Sequence, residues 1–290
     1  MGDLMPRPRQ LVVLIAVVAA GFAMMRAVGT GAQPPAGDIR LIAQGDDMGA
    51  AHGINLGTIQ AYKEGILRAT NVLVPAAWTP EAAQLLKENP GLDAGVHLTL
   101  TSEWQTVKWR PLTSVPSLVD ANGYFFPSTQ AIRGAAGSML NLAEIEKELR
   151  AQIELGKKMV PQVSYMSTHM GFDSLSPEVR ALVQKLSKEY RLVMAGAELG
   201  TQSMGRVWNA TDTADVRADK LATRLAQLQP GTWLWVEHCA TDTPEIQAMG
   251  RNVAFDRSGV VAAWSDPKVL AAVKKCGIKL TSYKELIARQ

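Results

Sequence analysis

The sequence has few of the residues that define disulfide-rich or nucleic-acid-binding proteins. Its 290 residues include two cysteines and four histidines, and the formal net charge is only +3. Cys239 and Cys276 lack zinc-knuckle spacing, which leaves a single disulfide or two buried free thiols as their alternatives. Residues 1–32 carry three arginines against one aspartate, so the rest of the chain has a net charge of +1. A nearly neutral body gives no electrostatic basis for binding nucleic acid.

The N-terminus has the pattern of an export signal. Arg7 and Arg9 precede an uncharged apolar run over residues 11–25, and small residues follow it. This run is short for a membrane-spanning helix, which needs about 20 residues. We therefore expect residues 1–32 to be a signal peptide, or an N-terminal anchor if they are not cleaved, and residues 33–37 to be a linker. The protein would then be periplasmic or extracellular, and it would touch a membrane only through an uncleaved segment.

Residues 38–290 have the alternation of a single α/β domain. Seven strands are predicted, over residues 39–43, 70–74, 94–98, 163–168, 191–195, 233–237 and 279–283. Between them lie amphipathic segments with helix start signals, such as those at Thr79 and Ser176. Strands that alternate with helices indicate a mostly parallel sheet covered by helices. We predict an irregular, seven-stranded (β/α) barrel similar to a TIM barrel, with an open doubly wound sheet as the alternative.

Carboxylates and histidines stand where several of these strands end. Asp46 and Asp47 follow the first strand, His97 ends the third, His169 follows the fourth and His238 follows the sixth. Because the C-terminal strand ends of a barrel meet on one face, we expect these side chains to lie together. Adjacent carboxylates favour a cation between them, and one aspartate with two histidines can bind a divalent metal that keeps a water molecule. The pattern predicts a metal-dependent hydrolase.

Several short segments are similar to the YdjC-like carbohydrate deacetylases, a family that includes chitooligosaccharide deacetylases. These segments are residues 44–49, 53–55, 65–71, 89–92, 95–101, 168–170, 264–269 and 277–283. The resemblance covers nearly all of residues 38–290. It implies an irregular (β/α) barrel that removes acetyl groups from sugars with the help of a divalent metal.

The resemblance also implies a role for each candidate residue. Asp47, His97 and His169 would hold one divalent metal ion, with zinc favoured and magnesium or another divalent ion as the alternative. Asp46 would be the general base that activates water, and His238 would protonate the leaving amine or alcohol. The expected partner is an acetylated saccharide, with N-acetyl favoured over O-acetyl sugars. The family's tendency to dimerise adds a homodimer to the expectations.

Two other functions are consistent with the same residues. One is a metal-dependent esterase or amidase with a non-sugar substrate, and the other is a non-catalytic protein that binds a saccharide or a metal on a degenerate deacetylase fold. The unpatterned stretch over residues 101–138 is long enough to be a functional loop. Its Trp104 and Trp109 are candidates for a sugar-binding platform or, equally, for packing within the loop.

Overall fold

The computed structural model describes residues 37–136 and 140–289. The expected signal segment lies outside these residues, so the domain boundaries placed there stay predictions. The strands are β1 (Ile39–Met48), β2 (Ala69–Val72), β3 (Asp93–Leu98), β4 (Val163–Thr168), β5 (Val193–Met194), β6 (Gln202–Ser203), β7 (Gly231–Glu237) and β8 (Lys279–Leu280). The helices are α1 (His52–Glu64), α2 (Thr79–Glu88), α3 (Thr129–Ala136), α4 (Leu142–Met159), α5 (Pro177–Tyr190), α6 (Ala214–Leu225), α7 (Pro244–Met249), α8 (Arg251–Trp264), α9 (Pro267–Lys275) and α10 (Tyr283–Ile287).

All eight strands pair in parallel within one sheet. Seven follow the order β5-β4-β3-β2-β1-β7-β6, and β8 pairs with β1 beside them. Among the described residues no pairing joins β5 to β6, so the sheet curls into an incomplete barrel. This confirms the predicted irregular α/β barrel. The additional strand is β6, which the sequence prediction missed because its two residues are exposed and polar.

The two faces of β1 pack in different cores, as expected for successive side chains of a strand. Leu41 belongs to the large apolar cluster, whereas Ile42 belongs to a small cluster that includes Tyr283. Gln44 continues the face of Ile42, and its Oε1 accepts a hydrogen bond of 2.6 Å from the Tyr283 hydroxyl. This face leads along β1 to Asp46, near the C-terminal end of the strand.

Both helices begin where these start signals place them, but only the predicted cap at Ser176 is confirmed. Helix α5 begins at Pro177, and the hydroxyl of Ser176 accepts a hydrogen bond from the amide of Val179. Helix α2 begins at Thr79, but the hydroxyl of this residue donates to the carbonyl of Leu73 instead of capping the helix. Across residues 37–136 and 140–289, none of the helices is both long and apolar enough to cross a membrane.

Candidate metal centre

Four parallel strands bring all five candidate residues to one end of the sheet. Asp46 and Asp47 lie near the end of β1, His97 lies in β3, and His169 and His238 directly follow β4 and β7. His97 Nε2 is 3.7 Å from Asp46 Oδ2 and 3.4 Å from Asp47 Oδ1. His238 Nε2 is 3.7 Å from Asp47 Oδ2. The strand-end pattern in the sequence therefore corresponds to one cluster in the fold.

An unusual backbone conformation lets both aspartates reach this cluster. Neighbouring residues of a regular strand point to opposite faces. Asp47 has a φ of 70°, in the left-handed region, and the pairing of β1 with β2 is irregular between Gly45 and Met48. Such a conformation costs on the order of 1–3 kcal/mol in a residue other than glycine. The amide of Asp47 donates to Asn71 Oδ1 at 3.3 Å, which helps to hold it there.

The donor atoms of Asp47, His97 and His169 are spaced as a divalent metal requires. Asp47 Oδ1 lies 3.2 Å from His169 Nδ1 and 3.4 Å from His97 Nε2, and the two nitrogens are 3.3 Å apart. Ligands of a tetrahedral zinc ion, each at about 2.0–2.1 Å from it, lie about 3.3 Å from one another. Asp47 Oδ1 is buried and accepts no hydrogen bond from the described residues. A buried carboxylate oxygen without a donor is costly, so this donor set fits a metal ion.

His97 and His169 are each oriented by a hydrogen bond on the ring nitrogen that faces away from Asp47. His97 Nδ1 is 2.7 Å from the hydroxyl of Ser167, and His169 Nε2 is 3.0 Å from Glu103 Oε2. When Nε2 of His169 donates its proton to Glu103, the lone pair of Nδ1 faces the cluster. Partners of this kind fix the tautomer and ring orientation of metal-binding histidines.

The charges around Asp47 keep its carboxylate ionised. Arg257 Nη2 donates to Asp47 Oδ2 at 2.7 Å. Burial raises the pKa of Asp47, but Arg257, His238 and His169 together hold it well below its usual range. Burial acts to lower the pKa of His169, yet Asp47 and Glu103 raise it to about 10. The cluster therefore favours a positive charge beside Asp47, which is also what a bound cation supplies.

Asp46 has one carboxylate oxygen held by the protein and one that faces the cluster. Its Oδ1 accepts hydrogen bonds of 2.7 Å from Gln44 Nε2 and from Asn71 Nδ2. The other oxygen, Oδ2, is the one that lies 3.7 Å from His97 Nε2. The position of Oδ2 suits a group that accepts a proton from a water molecule bound at the cluster.

His238 contacts the cluster from the side of Arg257. Its side chain is 43% exposed, and it approaches the same oxygen of Asp47 that Arg257 binds. Partial burial and the charge of Arg257 lower the pKa of His238, against the raising effect of Asp47. His238 is therefore the member of the group that an incoming molecule can reach most easily.

Sequence reasoning missed Glu103 and Arg257, although both contact the cluster directly. Glu103 lies in the stretch without periodicity, and Arg257 lies on α8, 210 positions after Asp47. The available signal for Arg257 was its helical spacing from Ala254 and Val261, which places a charged residue on the apolar face of α8. Nothing in the local pattern distinguishes Glu103 from an exposed loop residue.

Of the two tryptophans in the long loop, Trp109 is buried and Trp104 is partly buried. Trp109 is buried, and its Nε1 donates to the carbonyl of Thr101 at 2.8 Å. Trp104 is partly buried and lies 5.0 Å from the guanidinium of Arg257. Of the two roles considered for Trp109, packing within the loop is therefore confirmed. Trp78, which the sequence analysis did not single out, is exposed, and its amide donates to the carbonyl of Gly49, two residues after Asp47.

Comparison with known proteins identifies a family that matches this chain. A model of the family described as YdjC-like protein matches residues 40–275. The chain is 33% identical over 229 residues to a carbohydrate deacetylase of Thermus thermophilus, which covers 72% of this chain and 80% of that protein. It is 35% identical over 173 residues to a chitooligosaccharide deacetylase of Yersinia enterocolitica, which covers 59% and 64%.

A solved structure shows the same fold over most of the chain. The crystal structure of an Enterococcus faecalis protein described as a cellobiose-phosphate cleavage protein superposes with a TM-score of 0.72. The match covers 86% of this chain and 99% of that chain at 22% sequence identity. At this identity the similarity establishes the architecture and not the activity.

Proposed function

Because the chain belongs to the YdjC-like protein family, we propose that it is a metal-dependent carbohydrate deacetylase, which hydrolyses an acetyl group from an acetylated saccharide. One observation carries the proposal. The donor atoms of Asp47, His97 and His169 lie 3.2–3.4 Å apart beside the free carboxylate oxygen of Asp46. We favour N-acetyl over O-acetyl sugars, because a chitooligosaccharide deacetylase is among the relatives.

In this proposal Asp47, His97 and His169 hold the metal. Two imidazole nitrogens with one carboxylate favour zinc, whereas magnesium prefers oxygen ligands. When bound, the ion would polarise the acetyl carbonyl and lower the pKa of a water molecule. Ser167 and Glu103 support the site by fixing the orientation of the two histidines.

Asp46 and His238 transfer protons in the proposed reaction. Asp46 takes a proton from the attacking water at Oδ2, because its Oδ1 is already bound by Gln44 and Asn71. The water oxygen adds to the carbonyl carbon, the carbon–nitrogen bond breaks, and the nitrogen receives a proton from His238. Acetate and a free amine are the products. His238 suits this role because its side chain is 43% exposed beside the donor set, with its Nε2 3.7 Å from Asp47 Oδ2.

The proposal is tested by measuring acetate release from acetylated sugars, with model esters and amides as alternative substrates. We expect Asp46→Asn to keep its metal and lose turnover, since the ligands are intact and the base is gone. His238→Ala is expected to be slower and to keep its metal as well. A near-normal rate for Asp46→Asn would remove Asp46 from the mechanism, and loss of metal in His238→Ala would make it a ligand.

The same panel separates the other functions. Release of acetate from esters or amides but from no sugar would favour an esterase or amidase with a different substrate. A metal-loaded protein that binds sugar without turnover would favour a non-catalytic binding protein. Either result would overturn the deacetylase proposal.

We also propose that the protein is exported. The support is the charged start and apolar run of residues 1–32 in the sequence. The mass of the mature chain, isolated from separated cell fractions, tests it. We expect a chain shortened near residue 32 outside the cytoplasm, whereas a full-length chain confined to the cytoplasm would contradict export.

A further inference from the structure

We propose that Tyr283, at the start of the C-terminal helix α10, positions the carboxylate of Asp46 through Gln44. This inference rests on the proposed deacetylase function, because it takes Asp46 as the base that activates water, and it adds a positioning residue to that function. Tyr283 is fully buried, and its hydroxyl donates to Gln44 Oε1 at 2.6 Å. Gln44 Nε2 in turn donates to Asp46 Oδ1 at 2.7 Å. The three side chains therefore form a continuous Tyr283–Gln44–Asp46 network.

The direction of these two hydrogen bonds follows from the chemistry of the groups. An ionised carboxylate can only accept, so the amide nitrogen of Gln44 must face Asp46. The amide oxygen of Gln44 then faces Tyr283, and it needs a donor because the side chain is buried. Burial raises the pKa of Tyr283 well above its usual value, so the hydroxyl keeps the proton that it donates. A phenylalanine at position 283 would leave the oxygen of Gln44 without this donor.

The network holds one oxygen of Asp46 and leaves the other free. Oδ1 accepts from Gln44 and from Asn71, whereas Oδ2 lies 3.7 Å from His97 Nε2. The terminal torsion of an aspartate side chain is soft, so an unheld carboxylate can turn its free oxygen away from the cluster. Two donors on Oδ1 oppose this rotation. The hydrogen bond from Tyr283 to Gln44 therefore helps to keep Oδ2 directed at the cluster.

The backbone at Tyr283 is fixed against the sheet. The amide of Thr281 donates to the carbonyl of Leu41 in β1 at 2.9 Å. Ser282 and Glu285 form a capping box at the start of α10, in which each side chain accepts from the backbone amide of the other residue. The hydroxyl of Tyr283 is thus presented to β1 from a defined position, as a positioning residue requires.

Tyr165 offers a matched control for Tyr283. The two rings lie 4.1 Å apart between centres, with an interplanar angle of 33°, and both side chains are fully buried in one cluster. The hydroxyl of Tyr165 has no hydrogen-bond partner in the part of the chain that the structure describes. Tyr165→Phe therefore removes a hydroxyl from the same cluster without breaking the network to Asp46.

The test measures acetate release from an N-acetylated amino sugar by wild type, Tyr283→Phe and Tyr165→Phe, well below their unfolding temperatures. We expect Tyr283→Phe to lower kcat roughly two- to tenfold, the factor that one neutral hydrogen bond contributes. Its KM and metal content should stay at the wild-type values, because Tyr283 is buried and is not one of the candidate ligands. Tyr165→Phe should keep the wild-type kcat.

A double-mutant cycle shows whether Tyr283 acts through Gln44. Gln44→Leu removes the link, so adding Tyr283→Phe to it should lower kcat no further. An additive loss in the double variant would overturn the inference. So would a wild-type kcat in Tyr283→Phe, an equal loss in Tyr165→Phe, or a raised KM or lost metal in Tyr283→Phe. If Gln44→Leu does not fold, the two single phenylalanine variants still decide the matter.

Failure of the deacetylase proposal is recognised separately, because wild type would then release acetate from none of the sugars. In that case crystal structures of wild type, Tyr283→Phe and Tyr165→Phe decide the inference. A carboxylate of Asp46 that is rotated in Tyr283→Phe alone would support it. The wild-type orientation of this carboxylate in all three proteins would overturn it.

Discussion

Replacing Arg257 tests how the candidate metal centre balances the buried charge of Asp47. The Asp47 side chain has no solvent exposure, and that of Arg257 is 10% exposed, with 2.7 Å between Nη2 and Oδ2. Removing one partner of a buried ion pair costs about 3–5 kcal/mol, because the other charge stays buried and uncompensated. His169 remains beside Asp47 and favours the charged form, so we expect the lower end of this range. Arg257→Met should therefore lower the free energy of unfolding by about 3 kcal/mol.

Urea unfolding with a chelator present measures this loss, which should appear as a lower midpoint with an unchanged m-value. Two changes should restore part of the stability that Arg257→Met loses. Asp47→Asn combined with Arg257→Met removes the uncompensated charge, and excess zinc added to Arg257→Met supplies a positive charge to the folded state alone. The reasoning is refuted if Arg257→Met stays within about 1 kcal/mol of wild type, or if the double variant is no more stable than the single one.

Three further predictions concern single side chains. Glu103→Ala should weaken zinc binding about 10- to 100-fold in a competition titration, because His169 loses its orienting partner; an unchanged affinity would contradict this. Burial and the nearby Asp256 raise the pKa of Glu237 to about 7, above the value of 4.5 expected when unfolded. The folded protein therefore loses stability as pH rises from about 4.5 to 7, and Glu237→Gln should be more stable than wild type by roughly 2 kcal/mol at pH 8 and equal to it near pH 4. A pH-independent difference in thermal or urea unfolding would refute this. Burial also raises the pKa of the Cys239 thiol, so a thiol reagent should modify only the half-buried Cys276 in the native protein, and rapid reaction of two thiols would be the contrary result.

Seven of the eight strands were located from the sequence, and β6 is the one that was missed. β3 and β4 are apolar runs bounded by helix signals, and their predicted limits lie within a residue of the observed ones. β6 has only two residues, both exposed and polar, and its pairing depends on the longer neighbouring strand β7. A local pattern carries no information on such pairing, so the sheet was predicted with seven strands instead of eight.

The site was predictable where it depends on topology. Asp47, His97 and His169 could be placed together because parallel strands end on the same side of a sheet. Arg257 and Glu103 reach the cluster from a distant helix and from an irregular loop, so only the three-dimensional packing identifies them. The left-handed backbone conformation of Asp47 could not be predicted either, because aspartate residues adopt several other backbone conformations more often.

We propose that Asp47, His97 and His169 together hold one divalent metal ion. Elemental mass spectrometry of the purified protein tests it without any assumption about the substrate. We expect about one divalent ion per wild-type chain, none in His169→Ala, and an unchanged content in His52→Ala, since His52 lies outside the cluster. A wild-type protein that holds no metal and does not take up added zinc would contradict the assignment of this metal site, as would a His169→Ala protein that retains its ion.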